Sequence, residues 1–288
     1  MTFVVNEPGT ADLPAVVAAL RSWQDDRTPL QFHPGDLGWA WAVGPERLAA
    51  TLRTWTLDGR IVALGYLDSP DLLRLTTAPE LRQDEALARQ LRADLDDPAR
   101  GVLPAGRAGV EVPNGALLRE VLAGAGWRPD EAWTPLRHDL AGPLRVDGLR
   151  VEVSGPGTAA VRTAVHRSAF ASARFTEELW HVLAAGPLYA DARCLLGYDA
   201  RGAAVAAATV WSAGPGRPGL LEPLGVHADH RGRGHGRAIG VAAAAALRDL
   251  GASAALVCTP SANTGAVATY RAAGFVAGPE RLDLVRGA

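Results

Sequence analysis

Between Arg231 and Ala238 the chain reads Arg-Gly-Arg-Gly-His-Gly-Arg-Ala, set between a short apolar run and a long alanine-rich one. These residue types at this spacing suit the holding of phosphate. The apolar run reads as a strand and the alanine-rich segment as a helix, so the loop leads into a helix N-terminus. There the first backbone N–H groups lack intrahelical partners and the peptide dipoles add positive charge. Gly232, Gly234 and Gly236 keep side chains clear so that a pyrophosphate can approach the backbone beside His235. Arg231, Arg233 and Arg237 add full charges.

A second reactive type lies just upstream, in Leu220-Leu-Glu-Pro-Leu-Gly-Val226. Period-two alternation places Leu220, Glu222, Leu224 and Val226 on one face. A carboxylate in an apolar row is costly unless it is exposed, paired or functional, and burial lifts its pKa toward the range of a general base. Glu222 therefore reads either as that base or as a rim residue paired with an arginine. Pro223 cannot donate to a ladder, so it marks an edge or a bulge, and a bulged strand lets a ligand enter between parallel neighbours. Downstream, Asn263-Thr-Gly-Ala-Val-Ala-Thr-Tyr270-Arg-Ala-Ala-Gly274-Phe275 follows an apolar strand and reads as a short helix, capped by Asn263 and closed by Gly274.

Together the two motifs resemble the GNAT superfamily of acyl-CoA-dependent N-acyltransferases over residues 148 to 286. Arg231, Gly234 and Gly236 match the family's Gln/Arg-x-x-Gly-x-Gly/Ala signature, and Asn263, Ala266, Tyr270, Gly274 and Phe275 match its later one. The resemblance implies that acetyl-CoA is the acyl donor and that backbone groups of Leu224, Gly225 and Val226 pair with its pantetheine arm. It implies that Tyr270 stands near the sulfur as the acid for the leaving thiolate, with Asn263 a secondary cofactor contact. It also implies an acceptor site walled by the first two helices of the domain, in a stretch holding His166, Phe170, Phe175, Glu177, Glu178, Trp180, His181 and Tyr189.

The two halves of the chain echo each other. Leu52–Leu57, the turn Asp58-Gly59-Arg60 and Ile61–Leu67 form a hairpin pattern, as do the strand ending at Tyr198, the turn 199–202 and Ala203–Trp211. From Gly59 to Trp127 is 68 residues, and from Gly202 to Phe275 is 73. The expected fold is α+β: two GNAT-like domains in tandem, 1–140 and 147–288, each a mixed, mostly antiparallel sheet flanked by helices. The first is degenerate. Where the second has its glycine loop, the first reads Ala78-Pro-Glu-Leu-Arg-Gln-Asp-Glu85, whose Glu80, Asp84 and Glu85 satisfy a helix start and repel phosphate. Its helix from 117 to 125 offers no tyrosine.

Composition bounds the rest. The chain has 288 residues, 48% of them apolar, enough for two packed domains. A net charge of −2 argues against a nucleic-acid partner. All 29 basic residues are arginine, which excludes lysine chemistry. Cys194 and Cys258 read as small core residues, and His227, His230 and His235 do not have metal-ligand spacing, so no metal is expected. Without a signal-peptide pattern or an apolar run of ~18 residues, no membrane span is expected and the location reads as cytoplasmic. The function expected is direct acetyl transfer from acetyl-CoA to the amine of a small molecule. Two readings stand beside it: a catalytically silent acyl-CoA sensor, and an enzyme like mycothiol synthase, whose two-domain layout is similar.

Overall fold

The computed structural model describes residues 2–287. The chain divides into two compact units: Met1–Phe32 with Pro45–Trp133 and Glu280–Ala288, and His33–Gly44 with Thr134–Pro279. The fold is the expected α+β one, yet neither unit is contiguous. The ranges 1–140 and 147–288 are redrawn in three places. The change of unit falls inside the strand Arg128–Asp139, residues 33–44 join the second unit, and the C-terminal strand Arg281–Arg286 joins the first.

In the first unit the strands Val4–Asn6, Leu52–Leu57, Arg60–Ser69 and Leu72–Thr77 form an antiparallel meander. Asp58 (φ 50°) and Gly59 (φ 78°) are both left-handed, the two-residue turn that an Asp-Gly pair favours because its twist matches that of the strands. Leu72–Thr77 then pairs in parallel with Ala108–Glu111, reached through the helix Glu85–Asp96. Arg281–Arg286 fills the place between Ala108–Glu111 and the start of Arg128–Asp139, antiparallel to both. The apolar core gathers Trp55, Leu73, Leu91, Leu122 and Trp127.

The C-terminal strand enters through charge as well as ladder. Arg281 Nη1 donates to Glu111 Oε1 (2.8 Å), and Arg74 Nε donates to the other carboxylate oxygen (3.0 Å). Beside them the Asp283 carboxyl is pushed up to about 6, chiefly by burial and then by the Glu111 charge, with Arg281 opposing. The fold thus favours the uncharged acid. This contribution is full below the unfolded value near 3.8 and is lost as pH rises through about 6. Asp283→Asn should therefore raise the melting temperature at pH 8, by the equivalent of about 1–3 kcal/mol, and leave it unchanged at pH 3.5. Thermal melts at the two pH values measure this, and equal shifts at both would refute it.

In the second unit Arg150–Val153, Ala192–Tyr198, Ala204–Trp211 and Gly219–Val226 run antiparallel in order, followed by a parallel pairing to Ala254–Pro260. The end of Arg128–Asp139 lies next, carrying the short strand Val276–Ala277. Helices Ala159–Phe170 and Glu177–Ala184 precede the hairpin, and His235–Asp249 follows the fourth strand. The alanines of His235–Asp249 let it lie close on the sheet, where Ile239, Ala243 and Leu247 are fully buried against Val205 and Val210. The short helix Pro34–Ala40 also belongs here. His33 Nδ1 accepts from Gly35 N, Asp36 Oδ2 accepts from His33 N, and His33 Nε2 lies 3.1 Å from Pro218 O. Gly35 fits because a Cβ there would meet Trp211 Cβ at 2.6 Å.

Candidate active site

The site grows from a failure of strand pairing. Gly219–Val226 pairs with Ala204–Trp211 along most of its length, but its parallel pairing stops after Gly219↔Ala255 and Leu220↔Leu256. Both strands continue without a ladder between them and open into a cleft of about 740 Å³. On the paired edge the register shifts between Leu221↔Val210 and Leu224↔Ala208, so Glu222 and Pro223 together stand opposite Thr209. The missing N–H of Pro223 accounts for a bulge at this step. The Glu222–Pro223 peptide is cis.

The bulge corrects one expectation. Leu220, Glu222, Leu224 and Val226 do not form a single period-two row, because the extra residue resets the alternation. Leu221 is buried in the core under His235–Asp249, and Leu224 and Val226 pack against that same core. Glu222 is half-buried, its carbonyl accepting from Trp211 Nε1 at 2.8 Å.

The loop forms the floor of the cleft. Gly232 (φ 74°) and Gly234 (φ 83°) are left-handed, a conformation that disfavours side chains. Gly234 is the N-cap residue of His235–Asp249, and no side chain caps that terminus, so its leading N–H groups face the cleft bare. Gly236 serves a different purpose from the one its place in the loop suggests. A Cβ there would meet Thr269 Cγ2 at 2.8 Å, so it lets helices His235–Asp249 and Thr264–Ala272 touch. Arg231 Nη2 donates to Ala169 O (2.6 Å) and Arg237 Nε to Ala272 O (3.2 Å), each at the end of a helix whose carbonyls attract cations. Arg233 is exposed and does not line the cleft. His235 is nearly buried with Nε2 unpartnered; burial depresses its pKa, Asp199 opposes, and His230 and Arg233 add to the depression.

Leu224, Gly225 and Val226 line one wall of the cleft, and Asn263 and Tyr270 line another. Asn263 caps its helix, with Oδ1 accepting from Ala266 N at 3.1 Å. Gly274 (φ 94°) closes it, and Phe275 N reaches back to Tyr270 O at 3.0 Å, the capping pattern that follows a left-handed glycine. Tyr270 is 7% exposed, and its pKa is raised by burial first, then by the charges of Glu222 and Cys258. Glu222 and Tyr270 thus share an electrostatic neighbourhood, despite lying on different elements.

A sequence model of the Acetyltransferase (GNAT) family matches residues 159–275. Residues 159–275 belong to the GNAT family. Solved structures agree on the fold. A tandem GNAT protein from the clavulanic acid biosynthesis pathway superposes with a TM-score of 0.64 at 16% identity, covering 99% of this chain and 98% of the other. An acetyltransferase of the GNAT family from Colwellia psychrerythraea gives 0.66 at 14%, covering 99% of each chain. A GCN5-related N-acetyltransferase from Sphaerobacter thermophilus gives 0.59 at 19%, covering 99% and 95%. No curated protein matches the chain in sequence. The family match covers 159–275 alone, and the likeness of the whole chain to a tandem GNAT protein is one of fold.

Among the described residues the first unit has no such cleft: the strand Ala108–Glu111 ends where its pairing ends. Leu72–Thr77 pairs in parallel with Ala108–Glu111 only as far as Arg74↔Glu111. The gap beyond is filled by side chains such as Leu81, Leu87 and Leu118, leaving about 10 Å³. Asp84 Oδ1 accepts from Leu87 N at 2.7 Å, which caps the helix the phosphates would need bare. Leu117 N donates to Arg82 O at 3.1 Å across the mouth. Calorimetric titration with acetyl-CoA should therefore give one site per chain, and a stoichiometry of two would overturn the contrast between the units.

The expected acceptor wall separates into two groups. Glu178 and His181 are exposed and Glu177 is half-buried, all on the outer helix Glu177–Ala184. His166, Phe175 and Trp180 are buried inward, and Phe170 is exposed at the cleft. The helix Pro34–Ala40 adds Trp39, stacked on Phe175 at 5.1 Å, a contribution from the first half of the sequence that no local pattern announces. Phe170 also meets Gly225 closely, since a Cβ there would lie 2.5 Å from Ala169 Cβ and 3.0 Å from Phe170 Cε2. Among the described residues no group of three metal-ligating side chains occurs, and no helix is long and apolar enough to cross a membrane.

Proposed function

We propose that the second unit binds acetyl-CoA as its acyl donor and transfers the acetyl group directly to the amine of a small molecule. The observation that carries this reading is the coincidence of three features in one cleft: an unpaired strand edge, an uncapped helix N-terminus and a buried tyrosine. The free edge at 224–226 suits the amides of the pantetheine arm, and the bare N–H groups suit the pyrophosphate. With the thioester at the upper end of the splay, the amine nitrogen attacks the carbonyl carbon, and the oxyanion collapses with cleavage of the C–S bond. Glu222 takes the amine's proton, directly or through one water. The departing thiolate receives a hydrogen bond, and finally a proton, from the side of Tyr270.

The pKa of Tyr270 narrows its role. A phenol raised above its ordinary value near 10 is a poorer acid than a thiol of pKa about 8.5, so full transfer to the thiolate runs uphill. Its larger contribution is a hydrogen bond to the developing negative sulfur. Tyr270→Phe should lower kcat about ten- to a hundredfold with the Kd of acetyl-CoA nearly unchanged, because the bond strengthens only as charge develops. Full activity in that variant would make Tyr270 a packing residue. The function itself is tested by release of CoA thiol with a panel of amines. Turnover with any amine supports an enzyme, whereas binding of acetyl-CoA without turnover on any of them is the behaviour of a sensor.

A further inference from the structure

Arg162 lies in the helix Ala159–Phe170 and is only 1% exposed. Nε donates to Cys194 Sγ (3.1 Å) and Nη2 to Thr209 Oγ1 (3.1 Å), while Nη1 is buried without a hydrogen-bond partner. Its guanidinium lies 4.7 Å from the ring centroid of Phe175 and 5.8 Å from that of Trp39. No carboxylate pairs with it among the described residues. A buried cation without a counter-ion is costly, and ring faces compensate only part of that cost.

The surroundings add donors and no negative charge. Trp180 Nε1 is also buried without a partner, its ring 6.1 Å from that of Tyr189 in the same cluster, where the Tyr189 hydroxyl stands beside Cys194. Arg162 Nη1 and Trp180 Nε1 can only donate, and the Tyr189 hydroxyl can donate as well. His166, one turn on, is held neutral: burial, then the charge of Arg162, brings its pKa down to about 3. A buried cation lying on Phe175, with unsatisfied donors in the cluster to which that ring belongs, has the chemistry of a receptor for an oxyanion.

Its position ties it to the reaction. Thr209, which holds Nη2, is the residue opposite the Glu222–Pro223 bulge, one strand spacing away, or about 4.8 Å. Trp211, two residues along the same strand, donates to Glu222 O and lies 6.3 Å from the Tyr189 ring. An anion seated at Arg162 is therefore a short molecule's length from the proposed base. We propose that Arg162 anchors a carboxylate of the acceptor, which makes the acceptor an amine of the amino-acid class, with its amine turned toward Glu222. This rests on the acetyl-transfer reading above. Phe175 covers the guanidinium and stands in the connection 171–176 between two helices, so the ligand enters by displacing that ring.

The test compares matched acceptors at saturating acetyl-CoA: L-amino acids, β-alanine and γ-aminobutyrate, each against its primary amide, by release of CoA thiol. The free acids should show a KM at least ~10-fold below that of their amides. In Arg162→Gln the preference should collapse through a rise in the acids' KM on the order of 100-fold, the usual cost of removing one partner of a buried charge pair. Binding of acetyl-CoA by calorimetry checks that the variant is folded. Thr209→Val, a milder change that only loosens the guanidinium, should shift the ratio the same way by less. Equal KM values for acids and amides in the unaltered protein overturn the anchor, as does turnover of simple amines alone, and both leave acetyl transfer standing. Absence of acetyl-CoA binding, or binding with no turnover of any acceptor, sinks the reading beneath it as well.

Discussion

Gly234→Asp should reduce affinity for acetyl-CoA by at least ~100-fold while leaving the melting temperature almost unchanged. The substitution has room, since nothing lies within 4 Å of a Cβ built on Gly234. Its backbone cost is modest, because aspartate is among the residues that tolerate the left-handed region found here at φ 83°. The damage is to the ligand. A carboxylate at the N-cap position takes the free N–H groups for itself and sets a like charge against the pyrophosphate. The first unit displays the result: Asp84 caps Leu87 N at 2.7 Å, and the space beyond is closed. Two charge-assisted hydrogen bonds lost at about 1.5–3 kcal/mol each give the expected factor and more. Gly234→Ala, carrying at least as much backbone strain without the charge, should lose far less. Calorimetry on both variants decides the matter, and equal losses would assign the effect to the backbone.

That contrast between two helix starts was legible in the sequence because capping is local. Glycines before an alanine-rich run, or Asp84 three residues before Leu87, fix the fate of the N–H groups without reference to the rest of the chain. The Asp58-Gly59 hairpin and the Asn263 and Gly274 caps are legible for the same reason. What depends on distant partners was not. The strand Arg281–Arg286 has the composition to close either sheet, and it lies in the first unit against Ala108–Glu111, where Glu111 receives Arg281. The helix Pro34–Ala40 shows no local sign that its glycines are shaped to Trp211, 170-odd residues away. The bulge is foreseeable from Pro223, but period-two counting does not carry its consequence, because one inserted residue inverts every face that follows. Nothing local in the sequence sets Arg162 apart. Only the packing of Phe175, Trp39 and the sheet around it makes its charge conspicuous.

Glu222→Gln tests the remaining chemical assignment and should lower kcat by about 10²- to 10⁴-fold at neutral pH. The amide preserves shape, and the carbonyl of residue 222 can still accept from Trp211 Nε1, so the bulge should persist. It cannot accept a proton at working pH. An acceptor amine is mostly ammonium near pH 7, and only its neutral form attacks. The unaltered protein removes that proton at the site, whereas the variant depends on the small fraction deprotonated in solution. Its rate should therefore climb with pH until the amine itself has titrated, recovering much of the loss, while the unaltered protein levels off earlier. If Glu222 instead contacted the acceptor as a cation, the change would fall mainly on KM, with kcat preserved. A small deficit independent of pH would make Glu222 a structural residue of the bulge and leave the amine's proton to water.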